Sequence, residues 1–124
     1  MLDKRQFYIN GQWVSPAVAN DHEVINPSTE EACAVISLGS QADTDAAVAA
    51  AKAAFPSWAA TPPAERAALV AKIIDQYNAR VDEFAAAISM EMGAPIDFAT
   101  KAQVTVLPWH TKNFLRAFEQ IEWI

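Results

Sequence analysis

Two tight-turn signatures near the start of the sequence constrain its fold more than any other feature. Residues 8–13 (YINGQW) contain an Asn-Gly pair, and both positions of that pair tolerate the positive φ of a type I′ hairpin turn. Residues 24–30 (VINPSTE) contain an Asn-Pro pair, in which proline fixes φ and asparagine can bond the backbone ahead of it. The sequence therefore predicts two short β-hairpins, the second of which returns along residues 31–38.

The strand predicted at residues 31–38 has apolar side chains on both of its faces. Side chains alternate between the faces, and the two sets are Ala32, Ala34, Ile36 and Cys33, Val35, Ser37. A strand with two apolar faces is typically covered on both sides, so we expect neighbouring structure to bury each face.

A helical pattern follows the second hairpin. Ser40 and Asp43 resemble a capping box, with aspartate in place of the usual glutamate or glutamine, and they predict the start of a helix. That helix is predicted to run to about Phe55 and to be stopped by Pro56, because proline disfavours helical backbone in the residue before it. The apolar residues that share one face of this helix are Val48, Ala51 and Phe55.

The next helical pattern begins with Thr61 as a predicted N-cap, followed by proline at the first helical position. It ends near Met92, and Gly93 supplies a residue suited to a left-handed C-cap. Residues 78–80 are a weak point, so the pattern fits either one long helix or two helices with a short break. Its apolar positions recur every three or four residues, at Leu69, Ile73, Tyr77, Val81, Phe84 and Ile88.

A further helix is predicted to start at Pro95, and Pro108 is expected to kink or break it. The last helix is predicted from Trp109 to about Gln120, after which residues 121–124 resemble the approach to another strand. These patterns together predict an α+β fold that is mostly helical, with two short N-terminal β-hairpins followed by three to five helices.

Charge and composition exclude several classes of function. The net charge of −6 argues against a nucleic-acid partner, which would require a basic stripe. No apolar run approaches the ~20 residues of a membrane span, so no membrane partner is expected. One cysteine and the lack of a secretory pattern predict a cytoplasmic location. Hydrophobic residues make up 52%, but many are alanine, so we expect Phe, Trp, Leu, Ile and Val to form the core.

Five polar residues are candidates for chemistry, and for each we favour a structural role. Cys33 lies mid-strand beside acidic residues, so we expect it to pack and not to act as a nucleophile. His22 and His110 lie far apart without ligand spacing, so we expect surface or packing roles. Glu91, near a helix C-terminus, is expected to pair with a cation or to be solvated. Arg66 is expected to form an ion pair or to bond a neighbouring carbonyl.

Glycine and tryptophan supply no site of their own. The three glycines, at positions 11, 39 and 93, are scattered, so the sequence has no Gly-rich phosphate loop. The tryptophans are expected to fill the core or to cover junctions between hairpins and helices, and they are Trp13, Trp58, Trp109 and Trp123.

Five segments in a fixed order resemble the N-terminal region of the NAD(P)-dependent aldehyde dehydrogenase superfamily. They are residues 9–13, 25–31, 46–55 (with Trp58 after it), 63–66 and 91–95. The resemblance extends from about Tyr8 to Pro95. It implies that residues 1–124 are the N-terminal part of the cofactor-binding domain, an outer layer that precedes the nucleotide-binding sheet of the α/β parent fold.

The resemblance also implies a reaction for the parent enzyme. A cysteine thiolate attacks an aldehyde, hydride passes to NAD or NADP, and the thioester is hydrolysed to an acid. The family's nucleophilic cysteine, general-base glutamate and cofactor loop belong to segments without a counterpart in this sequence. No catalytic, cofactor-binding or metal-binding residue is therefore assigned, and the chain alone is expected to be inactive and to bind no cofactor.

Two local similarities to the family do not transfer a role. Residues 107–110 (LPWH) are similar to a Pro-Trp-Asn segment whose asparagine stabilises an oxyanion, but His110 stands in place of that asparagine. The family's monovalent cation site uses backbone carbonyls at positions that match Val24 and Ile25. Its remaining ligands would come partly from other sequence, so no ion is expected here.

Three hypotheses about the chain follow. The first is an N-terminal fragment of an aldehyde dehydrogenase, and the second is a stand-alone helical interaction module descended from that family. The apolar end of the sequence, residues 122–124, favours the first. A fragment should leave apolar helix faces uncovered, so we expect self-association. The third hypothesis is a dimer formed by exchange of the hairpins.

Overall fold

The structure is a computed structural model that describes residues 1–122. The chain divides into two compact units, Met1–Ala60 and Thr61–Ile124. The first unit holds all the strands of the described residues and one helix, and the second is helical. This arrangement confirms the predicted fold class. The strand expected from residues 121–124 lies partly outside the described residues.

The strands of the first unit form two separate sheets. A two-stranded sheet contains β2 and β3, and a three-stranded sheet has the order β1–β5–β4. Strand β1 pairs in parallel with β5, which the sequence patterns did not predict. The strands are β1 (Leu2–Lys4), β2 (Phe7–Ile9), β3 (Gln12–Val14), β4 (Asp21–Asn26) and β5 (Glu31–Ser37).

The predicted first hairpin is confirmed by the pairing of β2 with β3. Its turn consists of Asn10 and Gly11, with φ angles of 51° and 77°. Positive φ at both positions is the type I′ geometry that matches the twist of the two strands. Tyr8 and Trp13 lie opposite each other across the hairpin, with their ring centroids 5.3 Å apart.

The predicted second hairpin is formed by β4 and β5, and Asn26 organises its turn. The Asn26 side-chain oxygen accepts a hydrogen bond from the Ser28 N–H at 2.9 Å. Its backbone carbonyl accepts one from the Glu30 N–H at 2.8 Å. Glu30 has a φ of 60°, which places a non-glycine residue in the left-handed region. The asparagine thus bonds the backbone ahead of it, as the sequence predicted.

A β-bulge interrupts the second hairpin at Cys33. Val24 lies opposite Ala34 and Ile25 lies opposite Ala32, so Cys33 has no residue across from it. An extra residue of this kind bends the strand and increases its local twist. The adjacent part of β5 is buried on both faces, since successive residues Ala34 and Val35 are both buried. The prediction of a strand covered on both sides is therefore confirmed.

Five α-helices and one 3₁₀ turn follow the strands within residues 1–122. Helix α1 completes the first unit, and the others form the second. Their bounds are α1 (Gln41–Ala60), α2 (Pro63–Asn78), α3 (Val81–Met92), α4 (Ile96–Lys101), the 3₁₀ turn (Gln103–Thr105) and α5 (Val106–Phe118).

Two predicted helix boundaries are confirmed. The weak point at residues 78–80 is a break, because α2 ends at Asn78 and α3 begins at Val81. Gly93 is the left-handed C-cap of α3, with a φ of 69°, and its N–H donates to the Ser89 carbonyl at 3.0 Å. Glycine adopts this φ without the steric cost that a Cβ would add.

The predictions at two other helix boundaries are wrong. Helix α1 continues through Pro56 to Ala60. Thr61 is not the N-cap of α2, because Pro62 occupies that position without a side-chain hydrogen bond.

The break expected near Leu107 is present, but Pro108 does not cause it. The break falls at the 3₁₀ turn, and α5 begins at Val106. Pro108 lies in the first turn of α5, where a missing N–H costs little.

Small residues, and not large ones, form most of the buried core, which corrects the composition-based expectation. In the second unit Ala85, Ala99 and Val104 are buried together, and Tyr77, Val81, Ile88 and Ala94 pack against them. The first unit buries Ala34 and Val35. No large side chain is fully buried among the described residues.

Of the two roles expected for the tryptophans, filling the core is wrong for those that the structure describes. Trp13 is 66% exposed, Trp109 is 63% exposed, and Trp58 is exposed as well. Trp123 lies outside the described residues. Large apolar side chains of α1 and α5 are likewise exposed, so the expectation of uncovered helix faces is met in both units.

No helix within residues 1–122 combines the length and the apolar character that crossing a bilayer requires.

Candidate functional site

Asp43, in the first turn of α1, connects that helix to the loop before β4. Its Oδ2 accepts hydrogen bonds from the Ser40 N–H at 2.8 Å and from the Ser40 hydroxyl at 2.6 Å. Its Oδ1 accepts a hydrogen bond from the Ala17 N–H at 2.8 Å. The bonds with Ser40 are the predicted capping box, which is thereby confirmed with aspartate in the acidic position.

These hydrogen bonds hold the pKa of Asp43 below its ordinary value of 3.8. The Ser40 hydroxyl has the largest effect, followed by the backbone N–H groups of Ala17 and Ser40, while desolvation acts in the opposite direction. The carboxylate is therefore charged at neutral pH, at a helix N-terminus that favours negative charge. The negative charge of Asp43 would therefore repel a phosphate group at the N-terminus of α1.

A cavity of about 860 Å³ lies beside β1 in the first unit. Its lining includes Arg5 and Asp21, whose Nε and Oδ2 atoms are 3.1 Å apart, although this N–H is not aligned for a hydrogen bond. Arg5 also pairs with Asp3, at 3.1 Å between Nη1 and Oδ2. Lys4 adds a second positive charge to the lining, so that Arg5 and Lys4 match Asp3 and Asp21 in number. The buried Ser37 also lines the cavity. Charges of both signs line the cavity in equal number, so the lining selects no charge of ligand.

The Cys33 thiol lies at the bulge of β5 and is partly buried. It donates a hydrogen bond to the Val24 carbonyl, with 3.2 Å between sulfur and oxygen. No cationic side chain and no helix N-terminus contacts it among the hydrogen bonds and ion pairs of residues 1–122. A thiol needs such a group to become a reactive thiolate, so this geometry fits the predicted packing role.

The two histidines occupy separate units and do not meet at a common site. His22 is exposed on β4, opposite Ile36 of β5. His110 is exposed on α5, where its ring packs edge-on against Trp109 with centroids 4.7 Å apart. These positions agree with the surface and packing roles that the sequence predicted.

The remaining two candidates also lie apart from one another along the second unit. Glu91 is exposed near the end of α3, without an ion pair to any residue that the structure describes. Of the two predicted outcomes, the solvated one therefore holds. Arg66 is partly buried in the first turn of α2. The structure brings none of the five candidates together with another.

Metal ligands do not converge in the described part of the chain. Residues 1–122 contain no group of three His, Cys, Asp or Glu side chains placed to hold a metal ion. At the position that resembles the family's cation site, the Val24 carbonyl accepts the Cys33 S–H. This carbonyl has a partner within the hairpin already.

The residues of this chain do not fit the pyrophosphate of a dinucleotide. Gly11 turns a hairpin, Gly39 precedes α1, and Gly93 caps α3, so no two glycines share a loop. Phosphate sites at helix N-termini use free backbone N–H groups and positive partial charge. At α1 the charged Asp43 occupies that position.

Two structurally important contacts were missed at the sequence level. The Ala17 N–H that binds Asp43 lies 26 positions away in the chain, and a backbone amide leaves no mark in the sequence. The Tyr77 hydroxyl donates to the Val104 carbonyl at 2.9 Å, joining α2 to the 3₁₀ turn. Tyrosine on an otherwise apolar helix face was the one available signal, because a buried hydroxyl usually has a partner.

Comparison with known proteins identifies the family. The aldehyde dehydrogenase family profile matches residues 13–123. A 3-succinoylsemialdehyde-pyridine dehydrogenase from a Pseudomonas species is 46% identical over 96 residues, which is 77% of this chain and 20% of that protein. The chain therefore belongs to the aldehyde dehydrogenase family, as the five sequence segments indicated.

Solved structures of the family share the fold of this chain. An aldehyde dehydrogenase from Bartonella henselae superimposes with a TM-score of 0.97 at 52% identity, over 98% of this chain and 26% of its own. A mutant aldehyde dehydrogenase C from Pseudomonas syringae, in complex with NAD⁺ and octanal, gives a TM-score of 0.92 at 40% identity, over 95% and 24%. The chain thus spans about a quarter of the length of these structures.

Proposed function

We propose that this chain is the N-terminal part of the cofactor-binding domain of an aldehyde dehydrogenase that oxidises an aldehyde to a carboxylic acid. The observation that carries the proposal is the match to the Bartonella henselae enzyme, with a TM-score of 0.97 over 98% of this chain. NAD is favoured over NADP, because the similar Pseudomonas syringae enzyme was solved with NAD⁺.

Within such an enzyme this chain supports the reaction without performing it. The cysteine thiolate, the general base and the cofactor loop that the reaction needs would come from other parts of the polypeptide. The chain alone is accordingly proposed to be inactive and to bind no nicotinamide cofactor. Its contribution is a folded layer whose exposed apolar side chains can pack against those other parts.

A segment exchange tests this function. The matching 26% of the Bartonella henselae enzyme is replaced by this chain, and NAD⁺ reduction is measured with an aldehyde that the unmodified enzyme oxidises. We expect an active exchange enzyme, and neither activity nor saturable NAD⁺ binding from the isolated 124 residues. A folded but inactive exchange enzyme, or tight NAD⁺ binding by the isolated chain, would contradict the proposal.

We also propose that the isolated chain self-associates. The alternative hypothesis, a stand-alone helical interaction module, predicts the same behaviour. Phe55, on the surface of α1, is 66% exposed, and large apolar side chains of α2 and α5 are exposed too. Apolar surface of this kind promotes association in water. Sedimentation velocity should show oligomers whose fraction rises with concentration, and a chain that stays monomeric at high concentration would contradict this.

Location and other partners complete the proposal. A net charge of −6 opposes binding to nucleic acid, and no membrane partner is proposed. A single cysteine suits a reducing compartment, so the cytoplasm is the proposed location. Cell fractionation of the native host, with an antibody against this segment, would test it.

A further inference from the structure

The turn of the first hairpin places two groups side by side that can react with each other. The side-chain amide carbon of Asn10 and the backbone nitrogen of Gly11 are so few bonds apart that joining them closes a five-membered ring. Glycine leaves that nitrogen unhindered, because it has no Cβ. Of the asparagines in the sequence, only Asn10 precedes a glycine.

Solvent reaches both members of this pair. Asn10 and Gly11 are exposed. No heavy atom beyond the immediate chain neighbours lies within 4 Å of the place that a Cβ would occupy at Gly11. The Gly11 N–H also takes no part in the turn and loop hydrogen bonds of residues 1–122. Hydroxide can therefore approach this N–H and remove its proton.

The closed turn nevertheless holds the pair in a conformation that does not react. Ring closure needs the Gly11 nitrogen on the same side of the Asn10 Cα–C bond as the Asn10 Cβ. The φ angles of 51° and 77° define a type I′ turn, in which ψ of the first central residue is about +30°. For an L-residue this ψ places the next nitrogen nearly opposite Cβ. The peptide plane between Asn10 and Gly11 must therefore rotate, and the turn must open, before the ring can form.

The first hairpin has little structure to keep it closed. Strands β2 and β3 have three residues each and form a sheet of their own, and an isolated two-stranded hairpin is marginally stable in water. The Tyr8 and Trp13 rings that pair across it are both exposed. Segments with so little burial open locally more often than the whole domain unfolds.

We propose that Asn10 is a site of spontaneous deamidation, and that opening of the first hairpin controls its rate. The Gly11 nitrogen, after losing its proton to hydroxide, attacks the Asn10 Cγ and forms a new C–N bond. The Cγ–Nδ2 bond then breaks, and the side-chain nitrogen takes a proton from water and leaves as ammonia. Water opens the resulting succinimide, at Cγ to give aspartate or at the backbone carbonyl carbon to give isoaspartate. Either product adds one negative charge to the −6 of the chain.

The other asparagines provide comparisons within the same molecule. Asn26 precedes Pro27, whose nitrogen has no proton to lose, and its side-chain oxygen already accepts a hydrogen bond in its own turn. The remaining ones precede residues whose side chains hinder the attack, and they are Asn20, Asn78 and Asn113. We expect all of these to stay intact while Asn10 reacts.

Incubation of the folded chain in mildly alkaline buffer tests the proposal, beside a synthetic peptide of residues 7–14. Peptide mass spectrometry locates the modified residue, and ion-exchange chromatography follows the added charge. We expect conversion at Asn10 alone, at a rate proportional to hydroxide concentration, and slower in the folded chain than in the peptide.

Hydrogen exchange sets the size of that difference. In a type I′ turn the Gln12 N–H bonds the Ile9 carbonyl, so the opening that releases this N–H is the same opening that frees Asn10 to react. The ratio of the peptide rate to the folded-chain rate should therefore equal the protection factor of the Gln12 amide.

Trp13→Ala changes the opening equilibrium without touching the reacting atoms. Loss of the ring pair with Tyr8 should speed deamidation of the folded chain by about two- to tenfold. The same change in the peptide should have no effect. Met92→Ala is the matched control, because Met92 is a similarly exposed apolar residue of the second unit, at 62% against 66% for Trp13. It should leave the rate unchanged.

Each other outcome would overturn the proposal. These outcomes are equal rates in chain and peptide, an earlier reaction at another asparagine, a ratio that departs from the Gln12 protection factor, and a folded Trp13→Ala variant that reacts no faster. If Trp13→Ala does not fold, the comparison of reaction with exchange in the native chain decides alone. No aldehyde or NAD⁺ enters these measurements, so their result is independent of the proposed function.

Discussion

Asp43 shows how one side chain can hold together parts of the first unit that are distant in sequence. It caps α1 through Ser40 and binds the Ala17 N–H of the loop that leads to β4. All three bonds to the carboxylate are accepted by its ionised form, which is why they lower its pKa. The stability of the first unit should therefore depend on pH through this residue.

The expected dependence follows from the sign of the shift. The pKa of Asp43 is lower in the folded than in the unfolded chain, so the charged carboxylate stabilises the fold fully above the ordinary pKa of 3.8. That contribution is lost as pH falls through the lower folded pKa. Urea midpoints measured from pH 7 to pH 2 should fall in acid, and should fall less steeply in Asp43→Asn.

Asp45→Asn is the control for this prediction. Asp45 lies in the same helix, is exposed, and accepts a hydrogen bond from the Gln41 side chain at 2.8 Å. Its replacement should leave the acid dependence close to that of the native chain. An acid profile of Asp43→Asn that is as steep as the native one would show that Asp43 is not the group responsible.

Tyr77→Phe tests a side-chain hydrogen bond that joins α2 to the 3₁₀ turn. The change removes the hydroxyl that donates to the Val104 carbonyl and keeps the ring in place. We expect the free energy of unfolding to fall by about 1 kcal/mol, as for other hydrogen bonds of this kind. Tyr8→Phe, at an exposed ring of the first hairpin, should change it by less than about 0.5 kcal/mol. Equal effects in guanidinium titrations would contradict the assigned bond.

At the scale of elements, Pro56 is the clearest conflict between local preference and fold. Proline inside a helix lacks one hydrogen bond and clashes with the preceding turn, at a cost of about 3 kcal/mol. Pro56→Ala should therefore stabilise α1 by up to about 3 kcal/mol and raise the melting temperature followed by circular dichroism. Pro63→Ala, at the first position of α2, should give no gain. A Pro56→Ala variant that melts no higher than the native chain would oppose this account.

Gly93 is the second test at this scale. Its φ of 69° suits glycine, and a Cβ there adds strain of roughly 1 kcal/mol, so Gly93→Ala should lower the stability of the second unit by about that amount. Gly39→Ala is the comparison, since a Cβ at Gly39 would meet only ordinary contacts, the nearest at 3.6 Å from Phe7. Chemical denaturation should rank the two variants in that order, and the opposite ranking would contradict it.

Local signals explain which elements could be predicted from the sequence. The turn at Asn10 and Gly11, the cap at Gly93 and the Ser40–Asp43 box each depend on residues within four positions, and all three are confirmed. Strand β1 depends on a partner about thirty residues away, and no local pattern reports such a pairing. The predicted end of α1 at Pro56 is wrong for the same reason, because tertiary context decides whether a helix tolerates a proline.

The same contrast applies to the candidate site. The sequence favoured structural roles for Cys33 and the two histidines, and their positions at a bulge and on exposed surfaces agree. The Ala17 amide and the charged cavity around Arg5 could not be foreseen, because they arise where separate loops and strands meet. Family membership could be predicted from the sequence, because it depends on the order of short segments and not on how they pack.

At the scale of the molecule, the large exposed area has a thermodynamic consequence. Relative to an unfolded chain of 13.5 kDa, folding buries about an eighth less area than two separate compact units of this total mass would bury. The heat capacity change and the denaturant m-value scale with that area. Both should be about an eighth smaller for the monomeric chain than for two compact units of the same total mass, which calorimetry and urea titration at low concentration can measure. Typical values would contradict the open surface.

The parallel pairing of β1 with β5 has a consequence for synthesis on the ribosome. Leu2 pairs with Ala34 and Lys4 with Ile36, so β1 must wait for a partner strand that is made about thirty residues later. At ordinary translation speeds that interval lasts about two to six seconds. During it the second hairpin cannot yet form, whereas the first hairpin closes on itself. Strand β1 is thus synthesised well before the strand that anchors it.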